Sequence, residues 1–256
     1  MSWAAARRAL IIGIILVAVL AVVGIIAFLT LHKAPSCTDG LQNEDERGVD
    51  CGGSCAYLCS ADVAAPVISF VRDLRLPNGR TDVIAYLENP NSTAAARAVP
   101  FTITLYGPDR VVIAEKQGVV DLPPRGAGAT PVYVPNFFSG SQEVAQAFLD
   151  IDETGLLWSR YEDKRLLPVI DDPELEGADA PRVRVGVENP HATALRNVRL
   201  VVTVFDGEGN AIGASQTVIA ELLPGARTEA VFTWNAPFVG TPSVVDVKSV
   251  IPLTVR

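Results

Sequence analysis

The feature that constrains this chain most is an internal repeat. Glu88-Asn89-Pro90 recurs as Glu188-Asn189-Pro190, 100 residues later. The flanks match too: VIAYLENPNSTAAA parallels VRVGVENPHATALR, and Phe101–Tyr106 (FTITLY) parallels Leu200–Phe205 (LVVTVF) at an offset of 99. Leu122-Pro123-Pro124 then matches Leu222-Leu223-Pro224, and Val132-Tyr133-Val134 matches Val231-Phe232-Thr233. Four blocks in one order mean a duplication. A period near 100 residues is the size of a domain, not of a solenoid unit. The 256 residues therefore hold two small domains in place of the one large domain their length would allow.

The repeated blocks have strand periodicity. Val183, Val185 and Val187 alternate with Arg182, Arg184 and Glu188, and Phe101, Ile103 and Leu105 alternate with Thr102, Thr104 and Tyr106. Leu200, Val202 and Val204 repeat the second face. Between them stand Gly/Pro/Asn/Asp punctuations such as GPDR, DGEGN and LLPG. Short strands with no amphipathic helix predict a β-sandwich in each copy. Ser141–Phe148 is the one stretch that reads as a helical turn. Proline ends a strand and holds the preceding residue extended, and an Asn side chain can cap the departing loop. Both Asn-Pro pairs are thus read as structural. The boundary between the copies falls between Arg160 and Leu166. The acidic stretch Asp171–Pro181, with five acids and no base, reads as a linker or an exposed edge loop.

A net charge of -8 and a pI near 4.8 argue against a nucleic-acid partner, since polyphosphate is repelled. Yet the mean hydropathy is +0.29, high for an acidic chain. The two values belong to different regions. Residues 1–33 hold three basic residues and no acid; the remaining 223 hold the other 18 and all 29 acids. Ala9–Leu31 is uncharged over 23 residues, and at about 1.5 Å rise each they cover roughly 33 Å, enough for a hydrocarbon core of about 30 Å. Residues 9–31 are the predicted contact with membrane lipid. A cleaved signal peptide is the alternative, although its apolar run is usually only about 7–15 residues. Arg7 and Arg8 precede the span and Lys33 follows it, so positive-inside predicts a cytoplasmic N-terminus and an extracytoplasmic remainder.

All four cysteines, Cys37, Cys51, Cys55 and Cys59, fall within 23 residues next to this span. On the exported side they read as two disulfides, and the sequence leaves all three pairings open. In the opposite topology C-x3-C-x3-C would suit Zn²⁺ or an iron–sulfur cluster. Between Cys37 and Cys51 lie five carboxylates in twelve residues. Asp39, Asn43, Asp45, Glu46 and Asp50 are the candidate oxygen ligands for Ca²⁺, the one cofactor this sequence suggests, on a glycine-rich loop. Their spacing is not that of an EF-hand, and a solvated acidic loop is the competing reading.

The segment CTDGLQNEDERGVDCGGSCAYLC resembles a short cysteine-rich module of bacterial surface and secreted proteins, of form C-x-D-G-x-x-N-x-x-E-x-G-x-D-C-G-G-x-C-x-x-C. It departs at the end, where three residues precede Cys59. The second copy resembles the FxLYD and CARDB-like group of immunoglobulin-like bacterial modules. The likeness rests on V-x-V-x-N, a strand ending VFDGEGNAIG, and I-x-x-L-x-P-G before V-F-x-W. The first copy departs, with GPDRVVIA in place of the Asp-x-x-Gly turn and Pro100 at its strand start. The resemblance implies an extracytoplasmic, non-enzymatic module in an interaction or spacer role.

No nucleophile elbow, zinc-protease, P-loop or dinucleotide motif occurs. His191 has no neighbouring nucleophile. Trp158, Trp234, Tyr133 and Phe232 read as core or edge aromatics, with a carbohydrate platform as their alternative use. Asn91-Ser92-Thr93 is a glycosylation sequon.

The sequence thus predicts a non-enzymatic, all-β protein of two tandem immunoglobulin-like β-sandwiches. A cytoplasmic stub with one transmembrane helix (1–33) and a cysteine-rich collar (34–60) precede sandwich one (61–162) and sandwich two (163–256). The expected role is a structural or protein-interaction module with a protein partner in the cell envelope. The alternatives are a Ca²⁺- or small-ligand-binding surface protein and, without any supporting motif, an envelope hydrolase.

Overall fold

The computed structural model describes residues 3–31, 36–153 and 155–254. Contacts divide the chain into two compact units, 1–55 and 56–256. The first unit contains helix α1 (Trp3–Leu31) and the collar loop. Arg7–Phe28 is long and apolar enough to cross a membrane, with a mean hydropathy of 3.3. The helix has no polar face, and its large apolar side chains from Leu10 to Phe28 are exposed. A helix that is apolar all round needs an apolar surrounding. Arg7 and Arg8 are exposed in its first turns, with the Arg7 guanidinium 5.3 Å from the centre of the Trp3 ring. Lys33 lies outside the described residues.

The second unit is all β. Its strands are β1 (Tyr57–Leu58), β2 (Val67–Arg75), β3 (Arg80–Glu88), β4 (Ala94–Tyr106), β5 (Val112–Leu122), β6 (Thr130–Ser139), β7 (Gln146–Ile151), β8 (Trp158–Arg160), β9 (Val169–Ile170), β10 (Glu174–Glu176), β11 (Arg182–Glu188), β12 (Leu195–Asp206), β13 (Ala211–Leu222), β14 (Arg227–Thr233) and β15 (Pro242–Val250). In the first copy, sheet β2-β3-β6 faces a second sheet in which β4 lies between β5 on one side and β7 and β8 on the other. In the second copy, β11 pairs with β14 on one side and with β9 and β10 on the other, opposite sheet β13-β12-β15. All pairings are antiparallel, and each copy closes over its own core. Val83, Ala85, Leu87, Phe101, Ile103 and Leu105 fill the first; Val183, Val185, Val187, Leu200, Val202 and Val204 fill the second. These are the positions that the alternation assigns inward.

The repeat extends to irregularities. The β4/β5 ladder slips between Leu105 and Tyr106, and the β12/β13 ladder slips between Val204 and Phe205. Ala98 and Asn197, again 99 apart, both take a left-handed backbone, with φ of 48° and 51°. The Asn-Pro pairs match as well. Asn89 is buried and donates from Nδ2 to Ala94 O at 2.7 Å and Pro123 O at 2.8 Å, while its Oδ1 accepts the Asn91 N–H at 2.9 Å. Asn189 is fully buried and donates to Thr193 O and Leu222 O, both at 2.9 Å, and accepts the His191 N–H at 3.0 Å. Each amide ties three loop ends together, which fits the structural reading of Asn-Pro.

Three details differ from the sequence reading. Ser141–Phe148 forms no helical turn: residues 141–145 are irregular and Gln146–Phe148 opens strand β7, because the open side of β4 offers a full ladder of partners. Within the acidic stretch, Glu174–Glu176 forms strand β10, with Leu175 packed on the second core. Tyr57 and Leu58, just before the last cysteine, pair with Ser159 and Trp158 and so extend the first sandwich.

Candidate functional site

The second unit holds a third apolar cluster that belongs to neither core. Leu74, Ile84 and Tyr86, from the outer face of sheet β2-β3-β6, are buried with Val201, Ala211 and Ala214, from the outer face of sheet β13-β12-β15. The two sandwiches therefore pack sheet on sheet into one body. Phe70, Tyr86 and Phe205 form an aromatic triangle here, with centroid separations of 4.8, 5.7 and 6.2 Å. The rings of the two edge-to-face pairs are nearly perpendicular, which suits aromatic quadrupoles.

A polar lock crosses the same junction. The Tyr86 hydroxyl donates to Asp246 at 2.7 Å and lies 3.0 Å from the Thr203 hydroxyl, which is fully buried. Asp246 also faces Lys248 at 3.4 Å. Burial, and then the nearby Asp246 carboxylate, pushes the Tyr86 phenol far above its ordinary value, so it stays a donor at every physiological pH. Tyr133 is held in the same way: burial first, and its bond to Asp82 second, raise its phenol. Beside this lock, Arg72 donates to Asn210 at 2.6 Å. On the other side, the Asp121 carboxylate accepts the Leu253 N–H at 2.8 Å, and Leu253 is buried. Arg165 donates to Ile251 O at 3.0 Å and is fixed by Asp163 at 2.8 Å. Hydrogen bonds from Arg165 hold the Asp163 carboxyl below the usual carboxylate range.

Two clefts flank the lock. The smaller, about 500 Å³, runs past Phe101, Asp121, Arg165, Arg199 and Lys248. The larger, about 1160 Å³, lies between the β2–β3 hairpin and the loop after β14, which carries Trp234, Phe238 and the strongly exposed Val239. Trp234 and Phe238 meet edge to face at 5.0 Å.

The collar has its own geometry. Cys37 is bridged to Cys55 with 5.7 Å between Cα atoms; Cys51 and Cys59 are also disulfide-bonded, and no cysteine is free. Bonded sulfurs do not ligate a metal, so the grouping of Cys37, Glu46 and Cys55 is a disulfide beside a buried carboxylate. The structure joins Asp39, Asn43, Glu46 and Asp50 in one network. Asp50 accepts the N–H groups of Asp39 and Gly40, at 2.9 and 3.0 Å. Asp39 accepts from the Leu41 N–H and the Asn43 amide, both at 2.9 Å. Glu46 accepts the Asn43 and Asp50 N–H groups at 3.3 Å. Asp45 stands apart and accepts the Ser54 hydroxyl at 2.8 Å. These carboxylates satisfy the donors of a loop with almost no regular structure. Gly53 is required where it stands: at φ +54°, a Cβ would collide with the Asp45 backbone carbonyl.

Trp158 and Phe232 are core residues. The His191 ring is 2.8 Å from Leu167 O, and the Asn91 amide nitrogen donates to Ala64 O at 2.8 Å, so the sequon asparagine is tied to the backbone. The residues that sequence reasoning missed are Ile84, Tyr86, Val201, Thr203 and Asp246. Their signal was present, since Val83–Leu87 and Leu200–Phe205 are almost unbroken apolar runs where half-buried strands should alternate.

No family model matches this chain, and no curated protein matches it. Among solved structures, a red sea bream transglutaminase is 13% identical over 73% of this chain and 29% of its own, with a TM-score of 0.24. A β-glucuronidase of glycoside hydrolase family 2 is 11% identical over 61% of this chain and 20% of its own, with a TM-score of 0.19. A Bacteroides uniformis β-glucuronidase is 14% identical over 64% and 22%, with a TM-score of 0.20. The chain spans less than a third of those proteins' length, and at these TM-scores the likeness carries no argument.

Proposed function

We propose that this protein is a single-pass, membrane-anchored extracytoplasmic protein with a cytoplasmic N-terminus, acting without catalysis as a protein-interaction module of the cell envelope. The observation that carries this reading is the lock between the sandwiches. A flexible tether needs no Tyr86 hydroxyl bonded to Thr203 and Asp246 between its beads, whereas a rigid platform does. The apolar helix supports the anchor, and the closed disulfides support an oxidising compartment. Arg7 and Arg8 before the span support the orientation. On this reading the modules belong with the immunoglobulin-like FxLYD and CARDB-like group that the second copy resembles.

Two measurements test it. In cells with a permeabilised outer layer, added protease should digest the β region; full protection would reverse the orientation. Crosslinking on intact envelopes should trap the chain with a second protein. Recovery of monomer alone would count against an interaction role.

A further inference from the structure

We propose that Asn78 is a site of spontaneous modification, at which ring closure by the Gly79 nitrogen turns the side-chain amide into a carboxylate in the lining of the larger cleft. This goes beyond the protein-interaction reading and does not depend on it.

Pro77, Asn78 and Gly79 form the tip of the hairpin between β2 and β3. Proline fixes its own φ, Gly79 takes the left-handed backbone at φ +79°, and together they close a tight turn. The Leu76 N–H donates to Arg80 O at 2.8 Å, and the Gly79 N–H donates to Leu76 O at 3.0 Å. The Asn78 Oδ1 accepts the Arg80 N–H at 3.1 Å. That bond folds the side chain back along its own backbone and keeps its Cγ beside the Gly79 nitrogen. It also places a donor on the oxygen where negative charge develops during attack. A side chain at residue 79 would crowd the approach, and glycine has none. Asn78 is exposed, and nothing lies within 4 Å of where a Gly79 Cβ would stand, so water reaches the turn. The Gly79 N–H must leave Leu76 O before its nitrogen reacts, and exposed hairpin tips open locally at little free-energy cost.

The other asparagines lack one of these conditions. Asn89 and Asn189 precede proline, which has no N–H to lose. The side-chain amides of Asn43, Asn91 and Asn210 donate to Asp39, to Ala64 O and to Asp206. Asn136 and Asn197 precede the buried Phe137 and Val198, and Asn235 precedes Ala236. Among the described residues, none accepts a hydrogen bond from the Asn78 amide nitrogen.

In the reaction, water takes the Gly79 proton and the nitrogen's electron pair forms a bond to the Asn78 Cγ. The Cγ–Nδ2 bond breaks, and Nδ2 leaves as ammonia with a proton from water, closing a cyclic imide. Water then adds to one imide carbonyl. Opening on the Cγ side gives aspartate; opening on the main-chain side gives isoaspartate, whose backbone runs through Cβ and Cγ. One amide and one water become one carboxylate and one ammonium ion, and nothing is oxidised or reduced. The cleft lining sets Arg72, Arg75 and Arg80 against Asp73, Asp82 and Asp206, so a further carboxylate at Asn78 turns a balanced wall acidic. Loss of ammonia makes the change one-way.

The test holds the full chain in detergent micelles in warm, mildly alkaline buffer made with heavy-oxygen water, and follows every asparagine by peptide mass spectrometry. The Asn78 peptide should take up solvent oxygen, appear as both aspartate and isoaspartate, and convert about tenfold faster than any other asparagine. Gly79→Ala should slow the conversion about tenfold. Alanine strains a left-handed position, so a second variant leaves residue 79 unchanged: Asn78→Gln, whose longer side chain cannot close the same ring, should keep its amide. An intact Asn78 while other asparagines convert, conversion only after unfolding in urea, or equal rates in wild type and Gly79→Ala would each overturn the proposal.

Discussion

Asp82–Glu88 and Arg182–Glu188 are one strand in two copies, and they differ mainly on one face. Inward, Val83, Ala85 and Leu87 correspond to Val183, Val185 and Val187, all buried. Outward, Ile84 and Tyr86 correspond to Arg184 and Gly186. In the first copy residues 81–87 are buried on both faces, because the outer face meets the second sandwich. In the second copy the outer face carries ion pairs: Arg184 with Glu229 at 3.0 Å, Arg184 with Glu176 at 3.5 Å, and Arg227 with Asp171 in the space that Gly186 leaves open. The other sheets show the reverse. Val201 and Thr203 are buried at the junction, while their counterparts Thr102 and Thr104 are only half-buried. The junction thus joins unlike faces of the two copies. Such heterologous contacts propagate without end when both faces are present on every unit. Here each copy keeps one apolar outer face and makes the other polar, so the stack stops at two.

Exchanging the outward residues is the strongest way to break this comparison. Ile84→Arg gives the first copy the second copy's surface and buries an unpaired guanidinium against Val201 and Ala211. It should cost about 3–5 kcal/mol in denaturant unfolding of the full chain. Arg184→Ile removes only partly exposed ion pairs and should change stability by about 0.5 kcal/mol or less, while promoting self-association visible by sedimentation. Trp158 lies in the first core and Trp234 beside the second, so fluorescence reports both sandwiches. A loss below about 1 kcal/mol for Ile84→Arg would mean that the junction opens easily and is no lock.

The shared features should respond equally. Asn89→Ala and Asn189→Ala each leave buried carbonyls without their donor, and each should cost about 3 kcal/mol. Because the hydrogen bonds repeat to within a few tenths of an ångström, the two costs should agree to about 1 kcal/mol. A wide disagreement would show that the copies use the same cap for different loads.

These pairs also show what could be read before the fold was known. Alternation in Arg182–Glu188 and Phe101–Tyr106 gives strand type and inward face correctly, because each has one polar outer face to contrast with its core. Val83–Leu87 lacks that contrast, and the missing contrast was itself the sign of a second buried face. What the face packs against was not legible, since the partner residues lie more than 100 positions away. Ser141–Phe148 reads as a helical turn, yet its last three residues open β7, because their strand identity comes from the side of β4 that they join. In the collar, cysteine count and context fit the oxidised state, but the Cys37–Cys55 pairing needed coordinates. The roles of Asp39, Glu46 and Asp50 as acceptors for loop N–H groups depend on turns that no periodicity records.

Tyr86→Phe sharpens the comparison at a single atom. The ring keeps its contacts with Phe70 and Phe205, so only the bonds to Asp246 and Thr203 are lost. The expected cost is about 1–2 kcal/mol, because Asp246 retains Lys248 as a partner. Gly186 in the second copy has no such bond, so the matching Gly186→Ala should act only through crowding of the Arg227–Asp171 pair. If Tyr86→Phe were neutral while Ile84→Arg was severe, the junction would be held by apolar burial alone.

The smallest expected effect separates the linker from the faces. Arg165, whose side chain is 6% exposed, joins Asp163 to the Ile251 carbonyl and so fastens the segment between the copies to the end of β15. The Asp163 carboxyl is held below its unfolded value, so its contribution is complete above about pH 4 and is lost as pH falls through the lower, folded value. With Asp163 partly open to solvent, the contribution should stay below about 1 kcal/mol. Asp163→Asn should therefore be slightly less stable than wild type at neutral pH, and the gap should close on acidification. A gap that persisted in acid would show that Asp163 acts through packing and not through its charge.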